Sequence, residues 1–438
     1  MDIGVIKLKT NMRLDNILII ISFGLSLFHN IFVIAFLLLL AWYCTKGAVN
    51  CIKSIILICI RTVINNVIAV SMSNTQLKLA VIFWASILIL YFCHKKSTNI
   101  TKRHNILILL SIFVFTVSAS SLFTSSYPIT AIFKLFSFAI PFYAVIVGVE
   151  STGKDYDWND FLLSIFNIVF ILSLIVIPFP NFRTINLNFQ GVFNHVNMFG
   201  IMSPLYITTL LNSKRYATKP VIRIVLISMT LYMATLSASR TGLFTCIVVI
   251  LIYCIFTVKN GIIKIFAIIS AILVFSLLVI DTSTLSTTDF GKSILKFIYK
   301  NDSAYSSVLQ SRELQFSFSL NKFAKNNMFG CGFMVPYVKG YSDLLLHFDL
   351  VMEPGNIFLS VLGDTGILGL VLFSLLLISI LGRKISKLYI FIAAILINFG
   401  EMVFFSTNNI APIIWVLLAI NGFSGYWENK NNELENES

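Results

Sequence analysis

Charge is scarce in this chain: 12% of its 438 residues are charged while 57% are hydrophobic, and the mean hydropathy is +0.89. So little charge excludes an ordinary soluble domain and leaves a polytopic membrane protein. Acidic residues are scarcer still, 19 against 32 basic ones, which gives a formal charge of +13. That surplus does not mark a nucleic-acid partner, because the basic residues are scattered over short connections between apolar runs instead of sharing one face. Short alternating strands are missing, which excludes a β-barrel. Metal-ligand spacing is missing too. There is no CxxC or paired-histidine pattern, and Cys44, Cys51, Cys59, Cys93, Cys246 and Cys254 lie in or beside apolar runs, where they act as small hydrophobes. Only Cys331 lies elsewhere, so neither a metal nor a cofactor is expected. The first apolar run, Ile17 to Tyr43, follows Lys7, Lys9 and Arg13 but has no small-residue cleavage site, and it reads as an uncleaved anchor. No internal repeat is visible, which argues against an inverted-repeat transporter.

What the chain does have is a long series of apolar runs, and a bilayer core of ~30 Å needs about 20 such residues per helix. The expected fold is an all-α polytopic integral membrane protein with roughly twelve to fourteen transmembrane helices. After the first run come Cys51 to Met72, Leu77 to Cys93, Ile106 to Phe123, Ile129 to Val149, Phe161 to Pro178, Val196 to Leu211, Val221 to Leu236, Gly242 to Val258 and Ile262 to Ile280. Three more close the chain, Ile357 to Leu381, Leu388 to Phe405 and Ile410 to Trp427. Two stretches are ambiguous. Ile17 to Tyr43 is long for one span and carries His29 and Asn30 at its centre, as a hairpin of two short helices would. The stretch after Cys51 carries Lys53, Arg61, Asn65 and Asn66, and a central Lys or Arg costs about 2.5–3.5 kcal/mol.

The positive-inside rule orients the bundle. The connections Lys95-Lys96-Lys102-Arg103, Lys214-Arg215-Lys219-Arg223 and Arg383-Lys384-Lys387 should face the cytoplasm, with both chain ends on that side. The outer face then receives Thr124 to Pro128, Asn181 to His195, the turn Ser237 to Thr241, and one long loop from Asp281 to Gly355 before the last three helices. The chain accordingly divides into an amino-terminal helix bundle (1–280), the long outer loop (281–355), the closing helices (356–427) and an acidic cytoplasmic tail (428–438) that should be disordered.

Chemistry should sit at that outer level. Arg240, in Ser-Ala-Ser-Arg-Thr-Gly between two apolar runs, is either a snorkelling arginine or an anion site, since guanidinium pairs with phosphate oxygens in bidentate fashion. Gly191-Val-Phe-Asn-His-Val-Asn-Met-Phe-Gly200 opens a helix, with Asn194 as its expected cap and His195 and Asn197 beside it. The loop carries Arg312, then Met-Phe-Gly-Cys331-Gly-Phe, then His347 and Glu353-Pro-Gly-Asn356; Glu353 and His347 are its candidate general bases. Between Leu314 and Phe323 the uneven alternation of apolar and polar residues admits a helix lying in the membrane interface. Lys134 and Glu401 are intramembrane charges near the outer ends of their helices, and either line a headgroup chamber or neutralise each other.

Taken in order, the Gly191 element, the Ser-Ala-Ser-Arg-Thr-Gly turn, Arg312 with Met-Phe-Gly-Cys-Gly-Phe, and Asn356-Ile-Phe-Leu-Ser-Val-Leu-Gly-Asp-Thr-Gly366-Ile-Leu-Gly369 resemble the family of O-antigen ligases and Wzy-type O-antigen polymerases. The resemblance runs from about Gly191 to the end of the chain. It implies a glycosyltransferase of lipopolysaccharide and polysaccharide biosynthesis in the bacterial inner membrane, acting at the periplasmic face on an undecaprenyl diphosphate-linked glycan, with membrane lipid around it and a chain-length regulator as a further candidate partner. Arg240 and Arg312, with Arg183 as a weaker third, would bind the substrate diphosphate, and Glu353 or His347 would act in catalysis. Ligases carry histidine directly before the asparagine at the loop's end, and here that position is Gly355, so the resemblance favours the polymerase branch. A lipid-linked glycan flippase is the reading from another class.

Overall fold

The computed structural model describes residues 2–72, 74–94, 100–184, 188–279, 313–336 and 355–436. Its described residues are 77% helical and include no strand, as expected of an all-α membrane protein. The helices in chain order are α1 (Asp2–Leu25), α2 (Asn30–Cys44), α3 (Ala48–Thr62), α4 (Thr75–Cys93), α5 (Ile100–Thr124), α6 (Pro128–Thr152), α7 (Trp158–Ile175) and α8 (Val196–Asn212). Next come the single turn α9 (Lys214–Ala217), α10 (Pro220–Leu236), α11 (Arg240–Phe256) and α12 (Gly261–Val279). After the loop's first part lie α13 (Glu313–Lys325), α14 (Ile357–Ile380), α15 (Leu388–Leu396) and α16 (Ala411–Asn436). Five of these elements, in α4, α5, α6, α7 and α14, are long and apolar enough to cross a membrane.

Local chemistry sets the boundaries. The first apolar run is indeed a hairpin of two helices, because His29 leaves helical geometry and caps α2, its Nδ1 accepting from the Ile31 amide. Pro128 and Pro220 open α6 and α10, where a missing N–H costs nothing. Arg61, 1% exposed, is tolerated at the end of α3 because its guanidinium donates to Ser26 Oγ and to the carbonyls of Ser26 and Val70.

Three expectations need correction. The run Cys51 to Met72 is helical only as far as Thr62, after which the chain turns. The run Leu388 to Phe405 is not one helix. It stops at Phe399, because buried Asn398 accepts the amides of Val403 and Phe404 at 2.9 and 2.8 Å, and the chain then turns through Gly400. The tail from Glu428, expected to be disordered, continues α16 to Asn436, since no proline or glycine follows Gly425 to end the helix.

Aromatic packing fixes the segments between helices. Phe138 of α6 touches Phe142, Phe333, Phe404, Phe405 and Trp415, and Trp415 Nε1 donates to the Phe404 carbonyl. This cluster ties α6, α16, the loop and the 400–409 segment together, each ring pair adding about 0.5–1.5 kcal/mol beyond its buried area. A second cluster, Phe170 with Phe193, Phe199 and Tyr206, seats the 189–199 segment on α7 and α8.

The described basic connections gather at the opposite end of the bundle. There Lys102 donates to the carbonyls of Ile380, Leu381 and Gly422, closing the end of α14, and Asn421 donates to the Lys387 carbonyl.

Candidate functional site

At the other end, two helix starts are sealed together by glycine. A Cβ on Gly242 would lie 2.3 Å from the Gly200 carbonyl oxygen, and one on Gly200 would lie 1.8 Å from Ser239 Oγ. The Gly191–Gly200 element and the Ser237–Gly242 turn are therefore one structure, although α9 and α10 separate them in sequence. In the turn between α10 and α11 Ala238 takes φ 52°, a left-handed conformation that costs an L-residue roughly 1–2 kcal/mol. This turn delivers Arg240, half-buried, as the first residue of α11, where the free amides and the helix dipole add to its guanidinium charge.

The 400–409 segment completes this site. Thr241 packs on Gly400, whose added Cβ would meet Thr241 Oγ1 at 2.3 Å, so Arg240 and Glu401 flank one contact. Asn197 Nδ2 donates to Glu401 Oε1 at 2.7 Å. The cap of α8 is His195 and not Asn194: the Asn194 amide is already bound to the Val63 carbonyl, so the helix begins one residue later, and His195 Nδ1 accepts from the Asn197 amide at 3.1 Å. His195→Ala should lower stability by about 1 kcal/mol while His195→Asn keeps it, a difference that thermal unfolding midpoints would read. Asn356 caps α14, its Oδ1 accepting the amides of Phe358 and Leu359, and Phe358 packs against Phe399 with tilted rings and centroids 5.4 Å apart. Three helix amino ends, those of α8, α11 and α14, thus belong to one connected set of contacts, and all three present positive partial charge.

The loop's described part is docked by a buried ion cluster that the sequence reading missed. Lys322 of α13 pairs with Asp364 of α14 at 2.5 Å, both side chains 5% exposed. Asp364 Oδ2 also accepts from the Met334 amide at 2.9 Å, and Lys134 donates to the Met334 carbonyl at 2.9 Å. Lys134 therefore holds the loop, and Glu401 is bound by Asn197. The motif glycines have a mechanical role here. Gly366, at φ 68° and ψ −171°, breaks α14, and the freed backbone groups pair with the loop: Ile367 N donates to Asn327 O, Gly332 N to Asp364 O, and Cys331 N to Gly363 O. A Cβ on Gly330 would sit 2.3 Å from the Asp364 carbonyl. Asp364 was legible as an acid inside an apolar run, the signal that did pick out Lys134.

Cys331 is buried in this dock, and its Sγ donates to the Lys322 carbonyl. Burial pushes its thiol above the ordinary value, against the opposing pull of Lys322. It should resist maleimide in the folded protein and react on denaturation, which a mass-shift assay would show.

Arg183 sits in a loop joined to the Ser237 turn, since the Phe189 amide donates to the Leu236 carbonyl, but its own Nη2 turns back to the Ile177 carbonyl at 3.5 Å. The other candidates, Arg312, His347 and Glu353, lie outside the described residues.

Compared with known proteins, residues 224–374 match the model of a family described as O-antigen ligase. The matched region starts within α10, contains Arg240, Arg312, the Lys322–Asp364 dock and Asn356, and stops within α14. No curated protein matches the sequence.

Proposed function

We propose that this chain, a membrane protein of the O-antigen ligase/polymerase family, is an O-antigen polymerase that joins undecaprenyl diphosphate-linked repeat units at the periplasmic face of the inner membrane. The observation that carries the reading is the glycine-sealed meeting of α8 and α11, which sets Arg240 at a helix amino end beside the Asn197–Glu401 pair. Transfer requires that the bond between the anomeric carbon of the growing glycan and its lipid diphosphate break while a hydroxyl of the incoming unit attacks. The departing diphosphate carries the charge that must be stabilised, and a fixed guanidinium with helix amides does this best where water is excluded. Arg240 fills that role, with Arg312 as its partner and Arg183 as a weaker third.

Glu353 accepts the proton of the attacking hydroxyl, three residues before the Asn356 cap that starts α14. In this reading Asn197 and Asn356 hydrogen-bond sugar hydroxyls, while Glu401, bound by Asn197, orders the segment behind them. Fixed cations make a metal unnecessary for this chemistry. The chain orientation follows from the basic connections collected at the far end of the bundle, which the cytoplasm would hold.

The second reading is an O-antigen ligase that transfers the glycan to lipid A-core. Gly355 in the position of the ligase histidine counts against it, and His347 would have to serve instead. Deleting the gene in its native host and resolving surface lipopolysaccharide on a gel separates the two. The polymerase reading expects core bearing a single repeat with the ladder gone. Bare core with long lipid-linked glycan accumulating would establish the ligase, and an unchanged ladder would refute both.

A further inference from the structure

Two helices long and apolar enough to cross a membrane, α5 and α6, part to leave a groove with Leu90 of α4 at its edge. It runs from Leu107 to Ser118 on α5 and from Ile132 to Tyr143 on α6, about 16 Å of helix, or roughly half the hydrocarbon core. Leu110 and Ala139, each 5% exposed, form the floor, while Phe115 and Phe136, 76% and 42% exposed, stand along the banks. The groove therefore opens sideways to the bilayer. Its free volume is about 430 Å³, more over that length than a straight methylene chain fills and suited to a chain with regular methyl branches. Ser118 adds a specific feature. Ser86, Ser203 and Ser374 of other helices turn their hydroxyls back to the carbonyl four residues earlier. The Ser118 hydroxyl is instead buried at the groove without a hydrogen-bond partner, which costs about 1–3 kcal/mol. The double bonds of an isoprenoid offer such a hydroxyl a weak acceptor, as aromatic faces do, and a saturated chain offers none.

The same face of α5 continues through Ser121, 1% exposed and likewise unpartnered at its hydroxyl, to Ser125. Ser125 Oγ lies 2.3 Å from where a Cβ on Gly332 of the docked loop would stand. A chain in the groove therefore brings its polar end to the loop, while Arg240 stands on α11 where that helix meets α8. From this we infer that the groove holds the isoprenoid chain of a second lipid-linked substrate, the incoming unit, and that Arg240 serves the departing one. Joining two lipid-linked units needs both carriers present at once, because the attacking hydroxyl belongs to a unit that keeps its own lipid. The loop that receives this second carrier is the one that ends with Glu353, the base proposed for that hydroxyl. Assigning the chain to an incoming unit rests on the transfer reaction proposed above, whereas the groove's preference for an isoprenoid does not.

The test photolyses the full-length protein, purified in detergent, with undecaprenyl diphosphate carrying a diazirine at mid-chain, and identifies the labelled peptides by mass spectrometry. Label should fall on α5 and α6, between Leu107 and Tyr143, and excess unlabelled undecaprenyl diphosphate should remove it. Ser111→Phe, at an exposed position within the groove, should cut that label about tenfold, and Ile112→Phe, exposed on α5 outside the groove, should not. Arg240→Lys should leave the label on α5 and α6 unchanged. Removal of the label by an equal excess of saturated phosphatidylglycerol would mean that the groove takes any lipid chain. Loss of the label in Arg240→Lys would mean that its chain belongs to the departing carrier. Either result overturns the proposal, and so does label spread evenly over the exposed helices, an outcome that needs no variant to fold. None of these readouts requires turnover. A product ladder without groove label defeats the groove alone, and competed groove label without a ladder defeats the transfer reading while the isoprenoid groove stands.

Discussion

Replacing Arg240 with lysine is expected to reduce glycan polymerisation by about a hundredfold or more, and replacing it with alanine by about a thousandfold, the range seen on losing a fixed donor to a developing anion. The lysine variant is the sharper of the two. It keeps the positive charge at the start of α11 but loses the planar fork that grips two phosphate oxygens at once. Folding should survive, because Arg240 opens its helix at the half-buried end of a turn and the packing there is made by Gly242, Gly200 and Thr241. Lipid-linked products from membranes with matched protein levels would measure the effect, and full activity in Arg240→Lys would remove the clamp.

The largest expected effect on stability belongs to Asp364. Asp364→Ala removes the carboxylate that Lys322 pairs with and that the Met334 amide donates to, and leaves two buried ammonium groups near one another. Breaking such a pair from one side costs about 3–5 kcal/mol, a large share of any protein's net stability. Little folded protein should be recovered. The double variant Asp364→Leu with Lys322→Met should fold better than Asp364→Ala, because it removes both charges and the bare ammonium with them. Folded yield by size-exclusion profile in detergent compares the two. Equal yields of Asp364→Ala and the unaltered protein would mean that the loop is not held through this cluster.

Most of the helices were readable as elements, though not to the residue, since apolar runs bounded by proline, asparagine and basic residues leave few alternatives; the run expected over Cys51 to Met72, for one, is helical over Ala48–Thr62. Even the hairpin at His29 announced itself by two polar residues in mid-run. At two places where reading failed, a hydrogen bond outside the helical pattern had decided the outcome. Hydrophobic periodicity does not tell that the Asn194 amide is taken by Val63, or that Asn398 will collect two amides five and six residues ahead and end α15 early. The site divides in the same way. Arg240, His195 and Asn197 stood out as polar groups at helix starts, but their union depended on Gly200 meeting Gly242, a contact between helices that no spacing encodes. The glycines of the loop and of α14 looked like sequence motifs. Their purpose, to let a broken helix share its backbone hydrogen bonds with the loop, needed three dimensions to become visible.

The most direct measurement reconstitutes the purified protein in lipid vesicles, supplies lipid diphosphate-linked repeat units as the sole substrate, and resolves the lipid-linked products by length. The account predicts a ladder of multiples that Arg240→Lys fails to make. Units that remain single, and move only when lipid A-core is added as acceptor, would contradict it.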